Sequence, residues 1–290
     1  MINYNPKEWF TFIFRLHKAD TVRKLTPMFF YLGLYAAAVA FLELNVFQLS
    51  KTHSEHLKNI SLMHGLLGFV ISLLLVFRTN TAYDRWWEGR RQWGTLVNVS
   101  RSLAIKLQAI LPEGHPARAY FRTMIPNFAF SMKQHLRNQY HPGELELDEP
   151  HELSQEKHMP NQISAHMMRK VIALHQEGLL TGEQLIFMNE ELRSFTDVCG
   201  ACERIKNTPI PFSYSVFLKK FIFFYVMTLP LGYVFSVGYI IIPMIVFIFY
   251  VLASLELIAE EIEDPFGTDA NDLPADTICN NIRLHVQQVL

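Results

Sequence analysis

Residues 69 to 94, FVISLLLVFRTNTAYDRWWEGRRQWG, decide the fold of this 290-residue chain. The stretch begins as apolar as a membrane helix and becomes dense in charged residues and tryptophan after Phe77. It contains no proline, and its first glycine is Gly89. One continuous helix would therefore carry an apolar face directly into a charged, aromatic surface. Such a helix suits a conduit through a membrane better than an enzyme.

The composition excludes several classes of protein. Hydrophobic residues make up 50% of the chain and charged residues 18%, and the formal net charge is −1. This balance argues against a nucleic-acid partner, which would favour a basic surface. Three cysteines cannot form a fully paired extracellular framework, so we expect thiols that are cytosolic or inert. The N-terminus, MINYNPKEWF, lacks the apolar core of a cleaved signal peptide.

Apolar runs predict membrane spans in three places. Residues 25 to 42 and 60 to 77 are 18-residue runs, uncharged apart from His64 in the second. About 17 to 25 such residues cross a bilayer core. Residues 221 to 255 form a 35-residue run without a charge. One helix of that length would measure about 50 Å against a hydrocarbon core of about 30 Å, so we expect a hairpin of two spans that bends at Gly238.

Four spans place both termini on the same side of the membrane. Lys and Arg crowd residues 7 to 24, 78 to 106 and 204 to 220, so the positive-inside rule assigns these regions and both termini to the cytoplasm. Residues 43 to 59 are expected to be a polar connector, and residues 141 to 162 a polar loop or an excursion that faces a partner. Helical spacing of apolar residues predicts an all-α protein of the cell inner (plasma) membrane. The predicted units are an N-terminal interfacial helix (1–24), spans one and two (25–77), a helical cytosolic domain (78–220), a hairpin of spans three and four (221–258) and a cytosolic tail (259–290).

The second apolar run carries a stripe of large side chains. Phe69, Leu73 and Phe77 recur at every fourth position and share one face of a helix. The stripe could pack against a neighbouring helix or lipid, or it could form a hydrophobic constriction that gates a pore by wetting and dewetting. One chain with four spans is too small to enclose a pore, so the second interpretation requires an oligomer with cyclic symmetry. His64 lies about 140° around the helix from Phe69 and is predicted to hydrogen-bond to another helix.

The charged aromatic segment after the stripe predicts a junction. Its members combine opposite charges with large aromatic rings: Asp84, Arg85, Trp86, Trp87, Glu88 and Arg91. Glu88 and Arg91 are spaced to pair along one helix. So many aromatic and charged groups together predict a packed, salt-bridged contact between subunits or domains. Phosphate or nucleic-acid binding is the alternative, and the acidic residues oppose it.

No residue pattern supports an enzyme. Cys199 and Cys202 form a CGAC motif, which could be redox-active or half of a zinc site, but no second pair or βαβ pattern accompanies it. Two small apolar thiols on a helix are the favoured interpretation. The histidines lack a ligand spacing such as HExxH, and the sequence has no Walker, dinucleotide or triad motif. We therefore predict a protein without catalytic residues.

Three sequence blocks together resemble a bacterial bestrophin. They are VFRTNTAYDRWWEGRRQWGTLVNVSR after an apolar helix, CGACERIKNTPIPFSY before the hairpin and IEDPFGTDANDLPAD after it. The resemblance implies a homopentameric channel for small monovalent ions, of the chloride or anion class, with a membrane neck and a wide cytosolic vestibule. It implies a neck at Phe69, Leu73 and Phe77, and a cytosolic exit at the turn from Glu183 to Phe187.

The acidic residues of the C-terminal tail indicate whether the protein binds calcium. Animal bestrophins, which it resembles, hold calcium with a run of acids directly after the PFG turn, whereas this chain has TDAND, with acids only at Asp269 and Asp272. Hard cations such as calcium bind several oxygen ligands, so a cluster with only two acids argues against a calcium site. We predict conduction that does not depend on calcium, and no cofactor.

Two other functions stay open from the sequence. Glu183, Glu190 and Glu191 near the predicted exit would favour cations if they face the lumen, which makes a cation-selective channel of the same architecture one alternative. A membrane-anchored scaffold or sensor without conduction is the other. The expected partners are the lipid bilayer, further copies of the chain and small inorganic ions.

Overall fold

The structure is a computed structural model that describes residues 21–48, 54–146, 153–154 and 156–290, with the backbone alone for 54–60. All regular secondary structure in these residues is helical, which confirms the all-α prediction. The first twenty residues of the predicted interfacial helix lie outside the described residues. The α-helices are α1 (Thr21–Phe41), α2 (Ser54–Ile110), α3 (Pro116–Arg137), α4 (Met159–Gln176), α5 (Gly182–Asn207), α6 (Phe212–Val237), α7 (Ile241–Glu263) and α8 (Ala275–Val289).

The connector between the first two apolar runs is shorter than predicted. Helix α1 continues through Leu42–Phe47 as a π-helix. Helix α2 begins at Ser54, so the predicted polar connector 43–59 was wrong at both ends. Leu44 packs against the apolar core formed by α1, α6 and α7, and this contact helps to keep the chain helical past the charged Glu43.

Helix α2 contains 57 residues. At about 1.5 Å per residue it is roughly 85 Å long. No proline interrupts it, and it passes the predicted boundary between residues 77 and 78 without a break. Its N-terminal half packs against α6 and α7, and its C-terminal half packs against α5 and α8. One helix therefore joins an apolar region to a charged region, as its sequence predicts.

Helices α1, α6 and α7 and the N-terminal half of α2 share an apolar core, here called the membrane-side core. Its buried members include Leu32, Ile71, Leu75, Val226 and Ile245. Three stretches of the described chain are long and apolar enough to cross a membrane: Thr21–Phe47, Ser61–Ile110 and Phe212–Glu263.

The last of these stretches is a hairpin. Helix α6 ends at Val237, a 3₁₀ turn covers Gly238–Ile240, and α7 follows. Gly238 adopts a φ of 62°, at which a residue with a side chain would be strained. The predicted bend at Gly238 is confirmed, and the two helices pack against each other.

Helices α3, α4, α5 and α8 enclose the C-terminal half of α2 in a second core, here called the cytosolic core after the side of the membrane predicted for it. Its largest buried side chains include Trp93, Phe121, Phe128 and Phe195. The predicted tail, 259–290, is part of this core, because α8 buries one apolar face in it. That face consists of Ile278, Ile282 and Val286.

The polar segment 141–162 is only partly a loop. Residues 141–146 form a 3₁₀ turn with its flanks, but the last four residues of the segment belong to α4. Pro160 lies in the first turn of α4, where a missing amide hydrogen does no harm. The His158 side chain caps this turn by accepting a hydrogen bond from the Asn161 amide. These two signals start a helix where polar composition alone predicted a loop.

Candidate functional site

The apolar stripe lies on a face of α2 that the rest of the described chain leaves uncovered. Phe69, Leu73 and Phe77 are 70%, 45% and 57% exposed, whereas Ile71 and Leu75 on the opposite face are 1% and 2% exposed. That opposite face packs against α6 and α7. The stripe is therefore available to line a pore, to face lipid or to contact another copy of the chain.

His64 joins α2 to α6 away from the stripe. The side chain is buried, and its Nε2 lies 3.0 Å from the Thr228 hydroxyl. The rings of Tyr225 and Tyr233 flank the imidazole, with centroids 5.9 Å and 5.8 Å from its own. The predicted hydrogen bond between helices is confirmed.

One residue after the stripe, Arg78 is buried and holds α2 to the end of α7. Its Nη2 lies 2.7 Å from Glu263 Oε2, and its Nε lies 3.4 Å from Glu256 Oε2. A buried guanidinium needs such partners, because an unpaired buried charge is strongly destabilising. This contact was not predicted, although the sequence contains a signal for it. An isolated arginine directly follows an apolar run, and two glutamates lie two helical turns apart at the end of the hairpin.

Arg85 ties α2 to the C-terminal ends of two other helices. Its guanidinium donates to the backbone oxygens of Ile205 (2.6 Å) and Thr208 at the end of α5. It also donates to the backbone oxygen of Glu263 (3.0 Å) at the end of α7. Carbonyl groups at a helix C-terminus lack partners within the helix and carry partial negative charge, so a cation is favourable there. Arg85 thereby fixes three helices just beyond the stripe.

The other junction residues divide into two groups. Trp86 donates from Nε1 to the Asn271 backbone oxygen (3.0 Å), and Glu88 pairs with Arg204 of α5 (2.8 Å). The pairing of Glu88 within its own helix, expected from spacing, was wrong because α5 brings a closer arginine. Contacts between subunits stay a prediction for the remaining junction residues. These are exposed on the chain: Asp84, Trp87 and Arg91.

The turn predicted to form the cytosolic exit opens α5. Thr181 and Gln184 cap this helix in a capping box. Glu183 is fully exposed, and hydrogen bonds from its own backbone amide and from the Thr181 hydroxyl hold the pKa of its carboxyl below the ordinary value. Ile186 is 76% exposed and Phe187 is 55% exposed. The turn therefore presents two apolar side chains beside a carboxylate.

The three glutamates near this turn differ in their surroundings. Glu183 and Glu190 are exposed, whereas Glu191 is buried and its Oε2 lies 2.6 Å from Lys106 Nζ. Lys106 also donates to the Phe187 backbone oxygen (2.8 Å) and lies 3.8 Å from the centre of its ring. Glu191 therefore adds no free negative charge near the predicted exit, because a lysine of α2 neutralises it.

The two acids of the tail lie in a tight turn. Asp272 is 2% exposed, and its Oδ2 accepts a hydrogen bond from the Asp269 amide (2.6 Å). Burial raises the pKa of Asp272 to about 6. A Cβ on Gly267 would lie 2.7 Å from the same carboxylate oxygen, so a larger residue at position 267 would displace the Asp272 side chain. One of the two candidate calcium ligands is thus already engaged by the turn, while the Asp269 side chain is exposed.

Three residues without any regular spacing meet between α3, α4 and α5. Glu203 Oε1 lies 2.7 Å from His135 Nε2 and 2.6 Å from His158 Nε2. Burial opposes ionisation of Glu203, but the hydrogen bonds from His158 and His135 prevail and lower its pKa. In the part of the chain that the structure describes, this is the one group of three or more His, Cys, Asp or Glu whose ligand atoms converge.

The cysteines of the CGAC motif lie in the cytosolic core. Cys199 and Cys202 are buried and, like Cys279, carry free thiols. Burial raises the pKa of Cys199 to about 12 and also raises the pKa of Cys202. A thiol that stays protonated is a poor nucleophile and a poor metal ligand. The interpretation of these residues as small apolar side chains is confirmed.

Known proteins are similar to this sequence over most of its length. The model of the bacterial/fungal bestrophin family matches residues 1–288. A voltage-dependent anion channel-forming protein of Nostoc is 34% identical over 230 residues, which cover 77% of this chain and 75% of the relative. The voltage-dependent anion channel-forming protein YneE of Escherichia coli is 34% identical over 229 residues, covering 78% and 75%. These relatives are named as channels, in keeping with a protein that is not an enzyme.

Solved structures share the fold. The crystal structure of a variant of a bacterial bestrophin homologue from Klebsiella pneumoniae matches with a TM-score of 0.80 at 29% identity, covering 91% of this chain and 98% of the homologue. A second variant of that homologue gives a TM-score of 0.81 at 30% identity, covering 92% and 99%. Because the family model covers nearly the whole sequence and the relatives share about a third of their residues with it, the chain belongs to the bacterial and fungal bestrophin family.

Proposed function

We propose that the chain forms an anion channel of the bestrophin type in a lipid membrane. The relatives in Nostoc and Escherichia coli are named voltage-dependent anion channel-forming proteins, which supports this class of function. The observation that carries the proposal is the apolar stripe of Phe69, Leu73 and Phe77, exposed on a helix whose opposite face is buried. In a membrane protein either lipid or a shared pore axis can cover such a face, and the family favours the pore.

The pore requires several copies of the chain. One copy presents the stripe on a single helix, which cannot enclose a channel. The family resemblance favours a homopentamer, and the distribution of Lys and Arg favours four spans with both termini in the cytoplasm of the cell inner membrane. Asp84, Trp87 and Arg91 are exposed and available for contacts between neighbouring copies.

The stripes of the copies would together form an apolar neck. Phe69, Leu73 and Phe77 follow one another at about 6 Å intervals along the helix. An apolar constriction of this kind conducts when it is wet and blocks ions when it is dry. An apolar neck has no charge with which to distinguish anions from cations, so residues outside the neck must determine ion selectivity. We assign a second constriction, at the cytosolic exit, to the turn that exposes Ile186 and Phe187.

A cation-selective channel is the second candidate, and the exposed carboxylates of Glu183 and Glu190 favour it. The pairing of Glu191 with Lys106 weakens it, because this pair carries no net charge. A gradient of sodium chloride across a bilayer separates the two candidates. For an anion channel the reversal potential shifts toward the chloride equilibrium potential, and a shift toward the sodium potential would establish the alternative.

The turn in the C-terminal tail offers too few ligands for calcium, so we expect the channel to conduct without it. A calcium ion takes about 6 to 8 oxygen ligands. Here Asp272 is buried and bonded to the Asp269 amide, and Asp269 supplies a single exposed carboxylate. We therefore expect currents to persist in a calcium chelator, and their loss would overturn this part of the proposal.

The neck is tested by replacing Phe69, Leu73 and Phe77 together with alanine. We expect a higher single-channel conductance, because smaller side chains widen the constriction and lower the barrier to wetting. Single-channel recording in planar bilayers measures this, and the mass of the purified protein in detergent, compared with the 33.7 kDa chain, reports whether the oligomer persists.

Leu75→Ala is the matched control. Leu75 is the same residue type as Leu73 and lies two positions away, about 200° around the helix, in the membrane-side core. It should lower stability without raising conductance. An unchanged conductance in an intact oligomer of the triple variant would instead favour a membrane-anchored scaffold, in which the stripe only packs.

A further inference from the structure

A cluster outside the predicted ion pathway has the character of a metal site. His135 lies on α3, His158 is the N-cap of α4, and Glu203 lies on α5. The two imidazole Nε2 atoms approach the same carboxylate oxygen, at 2.7 Å and 2.6 Å, and the ring centroids are 4.3 Å apart. We propose that these three side chains bind a divalent transition-metal ion, with zinc as the best match.

The ligand types select this class of metal. Imidazole nitrogens suit zinc, cobalt and nickel, whereas calcium and magnesium prefer oxygen ligands. Two histidines and one glutamate are a set that zinc accepts, with a water molecule in the fourth position. The site therefore differs in kind from an oxygen-rich calcium site, and it shares no residue with the neck, the exit turn or the tail acids.

The geometry needs only a small adjustment. The three ligand atoms lie within 4.8 Å of one another. Around a tetrahedral zinc with bonds of about 2.0 to 2.2 Å, ligand atoms are roughly 3.3 to 3.6 Å apart, so Glu203 must withdraw from each histidine by about 1 Å or less. The side chains of His135, His158 and Glu203 are 34%, 30% and 31% exposed. An ion can therefore enter from solvent, and a water molecule can complete its coordination.

Binding must compete with the hydrogen bonds of the metal-free cluster. His158 Nδ1 accepts a hydrogen bond from the Asn161 amide (3.2 Å), so the proton of the neutral ring sits on Nε2. A metal at Nε2 needs that proton on Nδ1, which breaks the cap of α4. Metal binding would therefore remove the cap of α4 and add bonds that join α3, α4 and α5. Since an ion that binds only the folded state raises its stability, the link is measurable without any recording of current.

The test uses full-length protein without a histidine tag, purified in detergent and stripped with a chelator. Cobalt is added first, because tetrahedral cobalt reports its coordination by visible absorption, and zinc is then added as competitor. We expect one cobalt per chain with a tetrahedral spectrum, displacement by zinc, and a higher thermal unfolding midpoint with either ion. Glu203→Gln keeps the size of the side chain and should weaken binding at least about 10-fold.

His141→Ala is the matched control. His141 is an exposed histidine of the same domain and lies outside the cluster, so its removal should leave the metal affinity unchanged. An equal loss in both variants, or binding that Glu203→Gln leaves intact, would overturn the proposal. A wild-type protein that binds no cobalt or zinc would do the same, and that measurement decides the question even if a variant fails to fold.

Discussion

The membrane-side core and the cytosolic core share helix α2, but they bury it in different surroundings. In the membrane-side half, large apolar side chains lie on both faces, with Leu75 buried and Leu73 exposed. In the cytosolic half, aromatic side chains fill the interior and charged pairs close its margin, as where Lys133 contacts Glu144 (2.7 Å) and Asp276 (2.8 Å). Lipid is as apolar as leucine, so burial stabilises the first core mainly through packing and the second through exclusion of water.

The border between the two cores is polar and buried. Arg78 and Arg85 lie there two turns apart on α2, and both reach the end of α7. Neither lipid nor an apolar core satisfies a guanidinium, so each arginine depends on the acceptors that α5 and α7 supply. These contacts therefore help helix α2 to hold the two cores in a fixed relation.

The largest loss of stability is expected at this border. Arg78→Ala leaves the buried Glu256 without its ion-pair partner and removes one of the partners of the half-buried Glu263. Breaking a buried ion pair by removing one partner costs about 3 to 5 kcal/mol. Unfolding by dodecyl sulfate in detergent micelles measures this loss. Arg90→Ala, at an exposed position of the same helix, should change stability by less than about 0.5 kcal/mol and serves as the control. A loss below about 1 kcal/mol at Arg78 would mean that the border does not hold the cores together.

A matched pair of leucines compares the two cores directly. Leu103 in the cytosolic core and Leu75 in the membrane-side core lie on α2 and are 0% and 2% exposed. Leu103→Ala loses both the transfer of a side chain from water and the packing around it, about 3 kcal/mol. Leu75→Ala loses mainly packing, because its alternative surroundings are lipid, and we expect roughly half that cost. The same micelle unfolding measurement applies, and equal losses would show that exclusion of water stabilises both cores alike.

The apolar half of this comparison could be predicted from the sequence. Runs of 18 and 35 uncharged or nearly uncharged residues fix the membrane helices, and Gly238 marks their bend, because length and backbone freedom are local properties. The stripe of Phe69, Leu73 and Phe77 likewise follows from a periodicity of four. The local prediction that was wrong is the connector 43–59. Its charged residues suggested a loop, but packing of Leu44 extends helix α1 into this segment.

The polar half could not be predicted, because its partners are distant in the chain. The sequence held a signal for the contact of Arg78 with Glu263 but did not identify the partners, and Glu203 meets two histidines from other helices through packing that no spacing encodes. Glu191 shows the same effect in reverse. From the sequence, Glu191 could carry a free negative charge near the exit. The structure shows that Lys106 of α2 pairs with it, so the pair has no net charge.

A gain in stability, and not a loss, is expected in the turn that joins α7 to the cytosolic core. Asp272 is buried, and its pKa rises from an ordinary value near 3.8 to about 6. The folded state therefore binds more protons than the unfolded state between about pH 4 and pH 6, and ionisation of Asp272 lowers stability as the pH rises through that window. Asp272→Asn keeps an oxygen for the Asp269 amide and cannot ionise. It should be about 1 to 2 kcal/mol more stable than the wild type at pH 7.5 and show no such gain at pH 4.

Thermal unfolding of the two proteins in detergent from pH 4 to pH 8 measures this difference, in which other titrating groups cancel. A variant that is less stable than the wild type at pH 7.5 would contradict it, because the carboxylate would then be favourable where it lies. The same pair of proteins tests the tail for calcium. If calcium raised the unfolding midpoint of the wild type but not of Asp272→Asn, a cation would bind this carboxylate, and the turn would be a ligand site instead of a buried link between the two cores.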